Sequence, residues 1–332
     1  MSVNIEKLQI HGLAVNLIVM LNGKLNEKFS NSDLPRGTVS QDGDTLNIVV
    51  PKNTCLKKPV YLLSIEEEGA GNMLQNHFIT VGEGSKAEII ELYYTLTKRG
   101  VVLDGNMFIK LEKNAVLDLY KIQNESNVSE HEDHTKVEQC GNSMFTCYTI
   151  TLSGGKIFNK IEVDLNGENS DASLYGLYLT SEKQRVENCT IVNHNMQKSR
   201  SEEFYKGVLD GNSNAIFNGR IYVAHGAVGT KAKQMNQNIL LSERATIKSS
   251  PALEIYTDDV ECNHGAVSGQ LDEETLFYMR SRGIGMEKAK ELLTYAFATD
   301  IINKVKIAPL KKMLEKFLGP RLKQCCHHVY KS

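Results

Sequence analysis

A turn residue, a small residue and an alternating apolar run recur at near-constant spacing through this 332-residue chain, and that period limits the fold more than any other feature. The pattern stands at Lys86-Ala87-Glu88-Ile89, Asn114-Ala115-Val116-Leu117, Asn142-Ser143-Met144-Phe145, Asp171-Ala172-Ser173-Leu174, Asn214-Ala215-Ile216-Phe217 and Arg244-Ala245-Thr246-Ile247. Its small residues lie 28, 28, 29, 43 and 30 positions apart. The gap of 43 is one and a half periods, which puts the underlying unit near 14–15 residues, each unit expected to supply two short strands and two turns. A fixed period over this length means a solenoid. The units are too short, and too rich in β-branched residues, Asn and Gly, for helical repeats. Strands stacked about 4.8 Å apart, with small residues where the chain turns inward, fit a parallel β-helix. A β-sandwich, with strands every ~8–12 residues, rarely needs such even spacing.

Around this solenoid the chain divides into four parts: strands leading in over 1–75, a β-helix core over 76–270, a helical domain over 271–322 and a tail over 323–332. The first part holds apolar runs at Leu17–Leu21, Thr45–Val50 and Val60–Ile65, with a weaker start near Ile5–Ile10. Pro35, Pro51 and Pro59 punctuate it, so edge-like strands are expected, with an Asn22-Gly23 turn after the first. Beyond Leu271 helical patterns take over. Asp272 caps a first helix reaching about Arg280 and closed by Gly283; a second runs from about Met286 to Val305; a third starts at Pro309 and stops at Gly319-Pro320. The second carries an apolar stripe of Ala289, Leu292, Leu293, Ala296, Phe297 and Ile301, and the third one of Leu310, Met313, Leu314, Phe317 and Leu318. Two such helices either close the open end of the solenoid or present a surface to a partner.

Several function classes fall away. The 38 Lys and Arg against 40 Asp and Glu give no bulk drive toward nucleic acid or an anionic membrane. No run approaches the ~20 apolar residues of a spanning helix. Seven scattered cysteines without a secretion signal fit a reducing compartment, cytoplasmic or an organelle lumen. There is no G-x-x-x-x-G-K-S/T phosphate loop, no G-x-S-x-G elbow and no H-E-x-x-H, so any nucleotide chemistry belongs to a partner. A carbohydrate-active β-helix enzyme is disfavoured by the absence of Trp and of a convincing carboxylate pair.

The metal-like clusters are weak. His131-Glu132-Asp133-His134 lies in a charged run and reads as a solvated loop, Cys325-Cys326-His327-His328 as a frayed tail, and His194 and His225 as structural histidines in the strand region. In the stretch LEIYTDDVECNHGAVSG, Val260, Cys262 and His264 alternate and so share one strand face. That places a thiol and an imidazole roughly 7 Å apart, with Gly265 leaving space beside the ring. Spacing alone favours a chance Cys-x-His.

The letters from Asn236 through Ile302, and above all LDEETLFYMRSRGI following His264-Gly265-Ala266, resemble the SufB/SufD family of iron–sulfur cluster assembly proteins. The pieces NLIVMLNGKLNEKFSNSDLPRG and ITVGEGSKAEIIELYY are similar to the same family. Asn263-His264-Gly265, with Ser242, Ser249 and Ser250 where the SufB branch carries a ligand cysteine, resembles the SufD branch. The helical region that usually precedes the β region in the family is not seen before it here.

The resemblance implies a mainly β protein: a right-handed parallel β-helix with a C-terminal α-helical domain. It implies a non-catalytic subunit that pairs with a SufB-like paralogue through the last strands and with a SufC-like ATPase through the C-terminal helices. A homodimer is possible in isolation, and a purely structural β-helix dimer is the alternative. His264 and Cys262 correspond to family residues at the interface where a nascent iron–sulfur cluster is built, as candidate ligands completed by the partner. Leu292, Leu293, Phe297, Leu314 and Phe317 are expected to support the ATPase-binding helices. Deleting residues 285–332 is expected to leave the solenoid folded and abolish ATPase binding.

Overall fold

The computed structural model describes residues 8, 10–35, 37–67, 72–96 and 100–327, with side chains to residue 323. In chain order the strands are β1 (Asn16–Leu21), β2 (Lys24–Leu25), β3 (Val39–Asp42), β4 (Thr45–Val50), β5 (Val60–Glu66), β6 (Asn72–Val81), β7 (Lys86–Thr95), β8 (Val102–Leu111), β9 (Val116–Asn124), β10 (Glu130–Gln139), β11 (Met144–Ser153), β12 (Lys156–Leu165), β13 (Asp171–Thr180), β14 (Arg185–His194), β15 (Arg200–Leu209), β16 (Asn214–Val223), β17 (Thr230–Leu240), β18 (Thr246–Ile255) and β19 (Val260–Gly269). Helices α1 (Glu273–Ser281), α2 (Met286–Ile302) and α3 (Ala308–His327) follow.

From β4 onward the strands fall alternately into two sheets. The first runs β19-β17-β15-β13-β11-β9-β7-β5-β1-β2 and the second β18-β16-β14-β12-β10-β8-β6-β4-β3. Apart from two short antiparallel pairings at the N-terminal end, every ladder is parallel, giving a β-solenoid of about 8 turns. One turn takes 26 residues between Glu130 and Lys156 and 32 between Asn214 and Thr246. Each half-turn supplies one long strand and one turn, rather than two short strands. The gap of 43 is the passage from the first sheet to the second, since Ala172 lies on β13 and Ala215 on β16.

Local chemistry explains the turns. In register, two residues ahead of Lys86, Val116, Met144, Asp171, Arg200 and Lys231, the backbone is left-handed at Gly84, Asn114, Asn142, Asn169, Lys198 and Gly229. Asn and Gly suit that conformation best. The next residues, Ser85, Ala115, Ser143, Ser170, Ser199 and Thr230, are fully buried. The hydroxyls of Ser143, Ser170, Ser199 and Thr230 donate to carbonyls three residues back. The true equivalents of Ala115 are thus Ser85 and Ser170; Ala87 and Ala172 stand two places further along, on the same inward face.

The two sheets differ in what covers them. The second has one face on the solenoid interior and one in water, so every second residue of β10 is buried and those between are exposed or half-buried. The first is covered on both faces except toward β17 and β19, so β5 is buried throughout and is not edge-like, and β1 nearly so. Asn22 and Gly23, both at positive φ, close the expected turn between β1 and β2. Ile5–Ile10 lies outside the described residues except for Leu8 and Ile10, which are buried.

The cover on the first sheet is the α2–α3 hairpin. Ala298, Ile301, Ile302, Leu310, Leu314, Leu318 and Leu322 are completely buried in a cluster with Tyr120, Tyr148, Tyr175, Ile122 and Ile150. Each fully buried Leu or Ile contributes about 1.5–3 kcal/mol. The helices therefore lie along the flank and do not close the open end. Two expectations change here. α3 continues through Pro320, because Leu318 and Leu322 are both fully buried and their packing outweighs the ~3 kcal/mol cost of a helical proline. The buried face of α2 is Ala289, Thr294, Ala298, Ile301 and Ile302, leaving Leu292 exposed.

Candidate functional site

The solenoid ends on β18 and β19, each hydrogen-bonded to a neighbour on one side only. Unpaired edges of this kind are ready templates for pairing with another chain. No residue of either strand is fully buried, in contrast to the preceding turn. Pro251 in β18 matches the rule that a strand proline belongs at an edge.

Register fixes where the candidate ligands point. Cys262 pairs with Ala232 and His264 with Gln234, both on the inward face of β17. Cys262 and His264 therefore share the face that would be interior if the solenoid continued. Cys262 is half-buried, packed with Leu253 and Val260 against Ile221, Val223, Ala227 and Ala232. Burial pushes its thiol above the ordinary value, against a weaker opposing hydrogen bond from the Ala232 backbone. The thiol thus holds its proton at neutral pH, and serving as a metal ligand would require it to give that proton up. His264 is exposed and makes no hydrogen bond or ion pair among the described residues. Gly265 faces the other way: a Cβ there would lie 2.9 Å from Met235 Cε, so the glycine gives room to Met235 and not to the imidazole.

Behind these residues runs a polar column that no sequence motif marks. Glu203, Gln234 and His264 are successive register partners on β15, β17 and β19. Gln234 Nε2 donates to Glu203 Oε1 at 3.1 Å, and burial raises the Glu203 carboxyl to about 7. One place along, Asn236 donates to the Tyr178 hydroxyl and Asn238 Nδ2 to Asn236 Oδ1 at 2.8 Å. In the sequence, KAKQMNQN places polar letters on both faces of the strand, so its pattern does not set the inward column apart.

The remaining candidates are dispersed. His131 is no loop residue: it is buried on β10, with Nδ1 2.7 Å from Glu125 Oε1, whereas His134 faces outward beside Glu132. His194 is buried between the Ser199 and Ser201 hydroxyls, while His225 sits exposed in the turn after β16. The side chains of Cys325, Cys326 and His327, and all of His328, lie outside the described residues. No group of three or more metal-binding side chains converges among the described residues, so Cys262 and His264 form at most a partial coordination set. Leu314 is fully buried against the first sheet, Phe297 and Phe317 pack partly into the same cluster, Leu293 is half-buried and Leu292 exposed.

Together these features define a two-sheet parallel β-solenoid that ends on two open strands carrying a cysteine and a histidine. The chain belongs to the SufBD family: residues 64–297 match the domain described as "SUF system FeS cluster assembly, SufBD core domain". It is 30% identical over 280 residues to the iron–sulfur cluster assembly protein SufD of Escherichia coli, covering 83% of this chain and 66% of that one. An iron–sulfur cluster assembly SufBD family protein of Synechocystis is 27% identical over 310 residues, 89% of this chain and 66% of that one. SufD of Bacillus subtilis is 26% identical over 279 residues, 83% of this chain and 64% of its own length. The chain thus spans just under two thirds of the length of these relatives. Among the described residues no helix is long and apolar enough to cross a membrane.

Proposed function

We propose that this chain is a SufD-like, non-catalytic subunit of iron–sulfur cluster assembly that supplies part of the coordination of a nascent cluster at the open end of its solenoid. The observation that carries the reading is the position of His264: exposed, without a partner, and on the inward face of a terminal strand whose outer edge is free. A neutral imidazole and a thiolate are competent iron ligands, and a cluster normally takes four. A SufB-like paralogue that extends the sheets beyond β18 and β19 would bring the others. Iron and sulfide are then cargo that the complex builds up and passes on.

The exposed side chains of Phe277, Tyr278 and Leu292 on α1 and α2 form the surface that a SufC-like ATPase would engage. The docked residues Leu293, Phe297, Leu314 and Phe317 hold that surface in place.

The test is His264→Ala in chain co-expressed with SufB-like and SufC-like partners. The complex should co-purify unchanged while iron and sulfide content after reconstitution falls to background. Wild-type cluster content in that variant would overturn the assignment and leave the purely structural dimer.

A further inference from the structure

The inward face of β17 carries one unfilled acceptor among its described residues. Gln234 is completely buried, its Nε2 is committed to Glu203 Oε1, and its Oε1 has no hydrogen-bond partner. Leaving a buried acceptor unmade costs about 1–3 kcal/mol. Asn236 and Asn238, the next polar residues on the same face, are both occupied.

The surroundings narrow what could fill it. On one side in the sheet stands Glu203, already bonded to the amide nitrogen. Across the interior, Gly219 presents no side chain; a Cβ there would lie 2.3 Å from Gln234 Nε2, so the glycine makes the room in which the amide lies. On the open side the register neighbour is His264, on a strand whose backbone runs about 4.8 Å away. The imidazole has N–H to donate and is itself unpartnered.

We propose that Gln234 is a positioning residue for His264: its Oε1 accepts the N–H of one ring nitrogen, which leaves the other nitrogen unprotonated and free to bind metal. Glu203 fixes the sense of the amide, because its oxygen accepts from Nε2 and leaves Oε1 as the free acceptor. Ligating histidines commonly have their second nitrogen held in this way, which sets both tautomer and ring orientation. The inference rests on the reading of His264 as a ligand.

The experiment uses the full chain labelled with 15N at histidine, with His264 assigned by the signal lost in His264→Ala. At pH 8 wild type should show His264 held in one tautomer. Gln234→Met should release it to the mixed tautomers of a free imidazole, without change in the other histidine signals. The swapped pair Glu203→Gln with Gln234→Glu puts a donor behind an acceptor again and should restore the single tautomer. Ser249→Ala removes an unpartnered hydroxyl on the inward face of β18, away from the Glu203–Gln234–His264 column, and should have no effect. In the co-expressed complex, Gln234→Met should weaken iron retention about tenfold or more. An unchanged His264 tautomer in Gln234→Met, or the same change in Ser249→Ala, overturns the inference. Either result leaves the assembly role untouched, because that role stands or falls on the cluster content of His264→Ala.

Discussion

Lys206 on β15 places its ammonium 2.5 Å from Asp300 Oδ2 on α2, joining residues 94 positions apart. The lysine is almost fully buried beneath the helix; its Nζ also donates to the Phe297 carbonyl at 3.3 Å and lies 4.0 Å from the centre of the Phe297 ring. Lys206 thus ties the solenoid to its helical cover by meeting a carboxylate, a carbonyl and an aromatic face at once, as Lys306 does elsewhere through Asp118.

Replacing Lys206 with Met keeps most of the stem and removes the charge. Charge-assisted hydrogen bonds of this kind contribute about 1.5–3 kcal/mol. In a chain of this size that corresponds to a fall in Tm of about 2–4 °C, readable by calorimetry. Asp300→Asn should also lower Tm, because it leaves the almost fully buried Lys206 ammonium without its counter-charge, with the Phe297 carbonyl still accepting from it. An unchanged Tm in both variants would show that the contact is a surface pair and not an anchor.

Glu203 makes stability depend on pH. Burial, opposed only in part by Thr190 and Gln234, raises its carboxyl from 4.5 to about 7. The folded state therefore binds this proton more tightly than the unfolded chain does. Its contribution is fully present below about pH 4.5 and is lost as pH rises to about 7, a change of about 3 kcal/mol. Glu203→Gln should leave Tm unchanged at pH 4.5 and raise it by a few degrees at pH 8. His194 works on the acid side: burial lowers it to about 4, so its contribution is present above about pH 6.5 and is lost as pH falls. A Glu203→Gln variant with the same Tm difference from wild type at both pH values would show that the carboxyl is not buried in solution.

Ala115 and Ser143 show how far the sequence reaches. Small residues at fixed spacing mark places where the chain turns inward, and that alone requires a solenoid of stacked strands. The same spacing misplaces Ala87 and Ala172 by two residues, since a shift of two keeps a side chain on the same face of a strand. His131 misleads for a related reason. Polar letters ordinarily mean water, but the interior here is partly polar: Lys121 Nζ lies 2.7 Å from Asp133 Oδ1, and Tyr93 donates to Glu91 at 2.7 Å, all of them buried. Some of these pairs join turns about thirty residues apart, as Gln234 and Glu203 do, and no local window contains both of those partners. Cys262 and His264 are legible as one face of one strand. Gln234 and Glu203 behind them are not, because their link to His264 exists only through the register of β15, β17 and β19.

The position of the α2–α3 hairpin changes what a truncation should do. A helical domain set at the end of the solenoid could be removed cleanly, but this one covers the stacked rings of Tyr120 and Tyr148, 4.7 Å apart, and accepts the Tyr148 hydroxyl at the Lys304 carbonyl. Deleting residues 285–332 bares that face along with Tyr175, Ile122, Ile150 and Leu177. An apolar patch of this extent on a β-sheet drives association. The truncated chain should elute as oligomers or aggregate, bind a hydrophobic dye and melt at lower temperature, rather than persist as an intact solenoid that lacks one partner. By contrast, the double variant Phe277→Ser with Leu292→Ser removes exposed apolar surface only. It should keep the wild-type Tm within about 1 °C, as surface substitutions generally do, while losing co-purification of a SufC-like ATPase. A monodisperse truncation with an unchanged solenoid melting transition would mean that the hairpin is an independent module and that its burial against the first sheet adds nothing to stability.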